Sequence, residues 1–298
     1  MIIPSLEGLT LTKGNVGGSD AIIFPDLNGL REVRLEQIAM ICDRRLGIGA
    51  DCLMRIVRTE TEAGWRIDAW NSAGRPLVHA GPFARLAAHY LRVSGLIELF
   101  DGESVAFDGP EGPLYVTRTG LHYSTGYELA LPVSEESVSR GYDVAVSLDG
   151  VKGVRGGLMV RSSDFGVVVA LEKDEEMSAV TGQAQYDPNV PGARLTVVVP
   201  QGDAMFTDFD GVERPFSAFA ARVFGEGPAV EQGARDAAVA LHAWAGETAT
   251  GIYRADVAGT GLEIRFAGGE IEMTGPAEIV AEFSLTGIAG EEIGRAHV

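Results

Sequence analysis

Two Ala-rich stretches, 150 residues apart, constrain the fold of this 298-residue chain more than any other feature. Ala84-Arg85-Leu86-Ala87-Ala88 in the first half is echoed by Ala234-Arg235-Asp236-Ala237-Ala238 in the second. They lie in two expected helices, 83–91 and 234–244, that are apolar around most of the axis. A helix without a polar face has to be enclosed. The enclosing material is visible around it: short β-branched runs at 21–24, 53–57, 166–171, 195–199 and 262–266, punctuated by Gly, Asp and Pro. Residues 65–70 add a strand-like alternation, with Arg66 and Asp68 on the same side as Trp70. A third, amphipathic helix is expected over 35–45. The pattern predicts an α+β fold of two pseudo-symmetric domains, each a β-sheet rolled around a central α-helix.

Composition narrows the function. Hydrophobic residues make up 46% and charged residues 22%, as in ordinary globular chains. No apolar run reaches the ~20 residues of a membrane helix, and residues 1–7 lack the basic-then-apolar order of a signal peptide. A formal charge of −18 repels phosphate backbones and anionic lipid, so neither nucleic acid nor membrane is an expected partner. The two cysteines, Cys42 and Cys52, are too few for a zinc site or a disulfide framework, and a reducing cytoplasm is the expected location. The five histidines show no metal-ligand spacing, so no metal is expected. Gly14 to Gly18 neither follows a strand nor opens a helix, which separates it from a dinucleotide fingerprint.

At Cys42-Asp43-Arg44-Arg45-Leu46-Gly47-Ile48-Gly49-Ala50-Asp51 the chain resembles diaminopimelate epimerase. Asn71-Ser72-Ala73-Gly74 is similar to that family's Asn-Ala-Asp-Gly turn, and Met273-Thr274-Gly275-Pro276-Ala277 to its closing strand. Arg222, Gly225 and Glu226 fit its Glu-Arg-Gly-Val-Gly-Glu-Thr stretch, with Ala221 in place of the leading Glu. The resemblance implies an active site in the cleft between the two domains, a fold shared with phenazine-biosynthesis isomerases. It places the domains at 1–131 plus 280–298 and at 132–279. A monomer or homodimer acting on a small molecule is expected.

The resemblance breaks at the chemistry. Epimerases of the family use two cysteines, one per domain, each at a helix N-terminus that lowers the thiol pKa and holds the substrate carboxylate. Here the first loop reads His79-Ala80-Gly81-Pro82-Phe83, with Ala80 at the cysteine position. The second reads Ala229-Val230-Glu231-Gln232-Gly233, with Val230 at the second cysteine position and Glu231 bringing negative charge to the anion cradle. Ser19 stands where the family has a substrate-contacting Asn, and Ser163-Asp164-Phe165-Gly166 replaces its Gly-Asn-Pro-His. Cys42 and Cys52 lie in the wrong segment to supply the missing thiols.

The expected site therefore has His79, Glu231 and Asp164 as acid–base candidates. Ser19, Asn71, Ala80, Gly81, Phe83, Arg222, Glu226 and Val230 are its binding residues. Without thiols, two-base epimerisation of an amino acid is lost, and an uncharged ligand is expected at the helix ends. Three readings stay open. One is a thiol-independent, cofactor-independent isomerase or cyclase, pericyclic cyclisation included, acting on an apolar, polyketide-like secondary metabolite. The second is a proton-shifting isomerase with one carboxylate base. The third is a non-catalytic binding protein.

Overall fold

The computed structural model describes residues 6, 8–77, 81–109, 112–161, 165–207, 212–224, 230–257 and 259–285. β1 (Thr10–Val16) and β2 (Ser19–Pro25) form a hairpin. Its two turn residues, Gly17 and Gly18, have φ of 57° and 81°, the left-handed pair that matches strand twist and favours glycine. α1 (Leu35–Cys42) leads to β3 (Cys52–Arg58), which is parallel to β2 and antiparallel to β4 (Trp65–Asn71). α2 (Gly81–Val93) follows, then the meander β5 (Ser104–Gly109), β6 (Gly112–Thr119) and β7 (His122–Glu128).

α1 stops three residues short of the expected 45. Asp43 turns extended at ψ 124°, and its Oδ1 accepts the N–H groups of Arg45 and Leu46, both at 2.7 Å. A short acceptor side chain that captures nearby backbone competes with the helix.

The second half repeats the order. β8 (Leu131–Pro132), α3 (Glu135–Arg140) and β9 (Val144–Leu148) lead into it. β10 (Val154–Arg161) and β11 (Phe165–Ala170) form the antiparallel pair that matches β1 and β2. α4 (Asp174–Ala179) and β12 (Ala184–Asp187) precede β13 (Arg194–Thr207), which is parallel to β11 and antiparallel to β14 (Glu213–Phe224). α5 (Val230–Ala245) is the second central helix, and β15 (Ile252–Val257), β16 (Thr260–Ala267) and β17 (Glu270–Gly275) make the second meander. β18 (Ala277–Ser284) ends the described chain.

The halves exchange strands. β8 follows β7 but pairs with β10, and β18 follows β17 but pairs with β1. β7 and β17 pair with each other, Tyr123 opposite Gly275. β18 pairs with β1 from Ala277 onward.

Each central helix has its own core. Phe83, Ala84, Leu86, Ala87, Ala88 and Leu91 are fully buried on α2, among residues from Val16 to Tyr123 and, across the exchange, Ala277. Ala234, Ala237, Ala238 and Ala240 are fully buried on α5, against Val198, Phe219, Ala221 and the second meander. Alanine keeps each helix thin enough for a sheet to close around it. Among the described residues, no helix is long and apolar enough to cross a membrane.

Candidate active site between the central helices

The segment from Cys42 to Asp51 folds into a charge cluster that positions the β1–β2 hairpin. Arg44 donates to both oxygens of Asp20, at 2.7 and 3.1 Å, and to Asp51 at 2.7 Å. Lys13 reaches Asp20 at 3.0 Å and donates to the Gly49 carbonyl at 2.7 Å. Burial alone would raise the Asp20 carboxyl; hydrogen bonds from Arg44 and Lys13 reverse it and hold it well below the carboxylate range. Cys42, in the same segment, is pushed up to about 12 by burial and by the charges of Asp20 and Asp51. Burial also raises Cys52 well above the ordinary thiol value. Neither thiol is available as a thiolate at neutral pH.

The hairpin so held sets its tip on the start of α5. A Cβ on Gly17 would overlap the Glu231 carboxylate, and one on Gly18 would stand 3.4 Å from Val230 Cγ1. Glu231 lies in the first turn of α5, where the helix dipole favours an acid. It is 2% exposed and forms an ion pair with the fully buried Arg85 of α2. Arg85 Nη1 also donates to the Met273 carbonyl at 3.3 Å. The pair joins the two central helices.

Tyr127 of β7 stands beside this pair. The guanidinium of Arg235, also on α5, lies 5.1 Å from the centre of its ring. The edge of the ring that carries the hydroxyl fits against Gly81, where a Cβ would collide with it. Burial raises the phenol above its ordinary value, and Arg85 and Arg235 pull it the other way. Among the described residues, the Tyr127 hydroxyl, Glu231 Oε2, Arg85 Nε and Arg235 Nε are buried without a hydrogen-bond partner.

A cavity of about 1130 Å³ opens here. Gly81, Tyr127, Glu231, Gln232 and Arg235 line it at the helix starts. Ile67, Leu77, Phe107 and Met273 supply apolar surface, and Asp108, Glu128, Glu270, Glu272 and Arg161 add charge. Glu231 and Arg235 are buried, with Arg85 paired to Glu231, whereas Glu128 and Glu270 are exposed.

The residues expected from sequence fall into four groups. Glu231, Val230 and Gly81 come together at the helix starts, with Ser19 close by as the first residue of β2 after the hairpin turn. Glu231 is not the free negative charge expected, because Arg85 neutralises it. Phe83 is buried in the core of the first domain and is itself among the residues that line the cavity. Asn71 and Arg222 are placed elsewhere. Asn71 Oδ1 accepts from Ala73 and Arg75 N–H at 3.1 and 2.9 Å, closing its own turn. Arg222 donates to the carbonyls of Met177, Ser178 and Val180 at 2.9 to 3.1 Å. The reason is strand parity: Phe219 and Ala221 face α5, so Arg222 faces α4. His79, Ala80, Asp164 and Glu226 lie outside the described residues.

Arg85, Tyr127 and Arg235 were not expected at the site. The two arginines occupy matching places in the Ala-Arg-x-Ala-Ala repeat. Arginine inside an otherwise apolar helix calls for a partner, since it is rarely buried unpaired. Tyr127 carried no such signal.

Comparison with known proteins agrees with the architecture. No family model matches the chain. Diaminopimelate epimerase of Streptomyces coelicolor is 28% identical over 291 residues, covering 92% of this chain and 94% of that protein. The same enzyme of Thermobifida fusca is 26% identical, covering 66% of this chain and 93% of its own. The chain is similar to diaminopimelate epimerases over nearly its whole length. The chain also shares its fold with a phenazine biosynthesis protein of the PhzF family from Bacillus anthracis. That likeness has a TM-score of 0.62 and 13% identity, covering 93% of this chain and 99% of that one. A hydroxyproline epimerase from Agrobacterium vitis superposes with a TM-score of 0.53 at 10% identity, covering 92% and 91%. The epimerase relatives support an activity of isomerase or epimerase type. The resemblance assigns its catalytic cysteines to positions that hold Ala80 and Val230 in this chain.

Proposed function

We propose that the chain is a thiol-independent isomerase or cyclase that folds a neutral, largely apolar, polyketide-like metabolite in the cavity between the central helices. The Arg85–Glu231 pair carries this reading. In a cradle for a substrate carboxylate, the helix start offers its charge to the ligand. Here a side chain of the protein occupies that role, and its charge is balanced from the other domain. The size and rim of the cavity support the reading. Drug-sized ligands fill clefts of roughly 300–1,000 Å³, so about 1130 Å³ is far more than one amino acid needs. Glu128, Glu270 and Glu272 would repel a dicarboxylate.

Cyclisation reorganises bonds within one substrate and requires neither thiol nor cofactor. Holding reactive ends together can supply roughly 7–11 kcal/mol of the barrier at best. His79 and Asp164 enter from the sequence alone, as groups that could polarise a carbonyl. A second reading, a proton-shifting isomerase with a carboxylate base, draws on Glu231 Oε2, which has no partner among the described residues.

The test incubates purified protein with linear polyene carbonyl compounds in D₂O and follows products by mass spectrometry. An isomer without deuterium supports cyclisation. An isomer with one deuterium supports the proton shift. Epimerisation of diaminopimelate would contradict both.

A further inference from the structure

We propose that the Tyr127 hydroxyl is the hydrogen-bond donor to a carbonyl or enolate oxygen of the ligand, flanked by Arg235 and Arg85 as cations that favour negative charge on that oxygen. The inference rests on the reading of the cavity as a site for a neutral ligand, and it names the group that such a ligand presents.

Three observations meet at this residue. Tyr127 lines the cavity, and its hydroxyl is buried with no partner among the described residues. A buried donor left unmade costs about 1–3 kcal/mol, so a protein that keeps one there has a use for it in the bound state. The hydroxyl edge stands at Gly81, the residue next to Ala80 in the chain. The two guanidiniums come from equivalent positions of the two central helices, so both domains contribute to the same oxygen.

The division of charge explains the choice of ligand. Arg85, paired with Glu231, and Arg235 place two guanidiniums beside one buried carboxylate, while Asp108, Glu128, Glu270 and Glu272 outnumber Arg161 elsewhere on the cavity wall. A full carboxylate is repelled on approach. A neutral carbonyl passes and is polarised at the helix starts, where preorganised donors act most strongly on developing charge. No bond to the protein is made or broken, and Tyr127 keeps its proton throughout. Arg235 acts through the face of the tyrosine ring and is a positioning residue. Arg85 acts at longer range, fixed by Glu231.

The test compares two fluorescent probes of nearly equal shape, 2-naphthol and 2-methoxynaphthalene. The naphthol ionises and its absorption reports the ground-state anion; the ether cannot ionise. The expected result is that both bind, with the naphthol favoured by about tenfold or more, as for a hydrogen bond to a charged group, and absorbing as the bound anion below its solution pKa. Tyr127→Phe should abolish the preference, bringing the two probes to equal affinity. Arg235→Met should keep the hydrogen bond but weaken the anion absorption. Equal binding of the two probes to wild type, or a preference that survives in Tyr127→Phe, overturns the assignment while leaving the neutral-ligand reading intact. Failure of the ether to bind overturns that reading itself.

Discussion

Arg85 of α2 and Glu231 of α5 meet in the interior and tie together two helices that belong to different domains. Glu231 is also the floor on which the β1–β2 hairpin rests at Gly17. The site is thus built from a chain of supports: Arg44 and Asp51 hold Asp20, Asp20 holds the hairpin, and the hairpin closes over the pair.

Breaking the pair from one side should be costly. Arg85→Met leaves a buried carboxylate and Glu231→Gln leaves a buried guanidinium, and each is expected to lose about 3–5 kcal/mol. The double variant Arg85→Met/Glu231→Leu should recover part of that loss. Urea unfolding of the three variants measures it.

Gly17 and Gly120 have similar left-handed φ, 57° and 63°, so alanine costs both about 1–2 kcal/mol of backbone energy. Only Gly17 has a carboxylate where the Cβ would go; Gly120 faces open space. Gly17→Ala should therefore lose a further 1–3 kcal/mol, roughly the penalty of overpacking. Equal losses in thermal unfolding would show that the hairpin does not rest on Glu231.

Burial, with help from the Arg92 guanidinium, pushes His89 down to about 4 from 6.5. The unfolded chain takes up this proton at a pH where the folded protein refuses it. The stability from keeping His89 neutral is full above pH 6.5 and is lost as the pH falls to about 4. The melting temperature should drop across that window, and His89→Gln should flatten the slope there. Asp20, held low, acts only below the ordinary carboxylate range.

Arg222 matches the family's site motif by sequence but holds three carbonyls at the end of α4. Arg222→Ala should lose about 1–3 kcal/mol of stability and leave the affinity for cavity ligands unchanged. A large fall in affinity without a fall in stability would return Arg222 to the site.

Much of the fold was legible because it is written in local patterns. The Ala-rich repeat marked both central helices, which extend a few residues beyond the expected ends, and the β-branched runs marked the sheets. The exchange of β8 and β18 was not, since it depends on which distant edge each strand meets. At the site, Glu231 and Gly81 were visible through the resemblance. The neutralisation of Glu231 was not, because Arg85 lies 146 positions away. Arg222 was misplaced although counting along β14 from Ala221 would have turned it to the other face. Tyr127 could be found only once β7 was laid against the starts of both helices.

The central claim is that the remodelled helix starts accept a neutral ligand in place of an amino acid. Thermal unfolding with diaminopimelate and, separately, with neutral polycyclic carbonyl compounds tests it most directly. A ligand at 100 times its Kd stabilises the fold by about 2.7 kcal/mol, a readily measured shift. The account predicts stabilisation by the neutral compounds, reduced in Tyr127→Phe, and none by diaminopimelate. Stabilisation by diaminopimelate alone would contradict it.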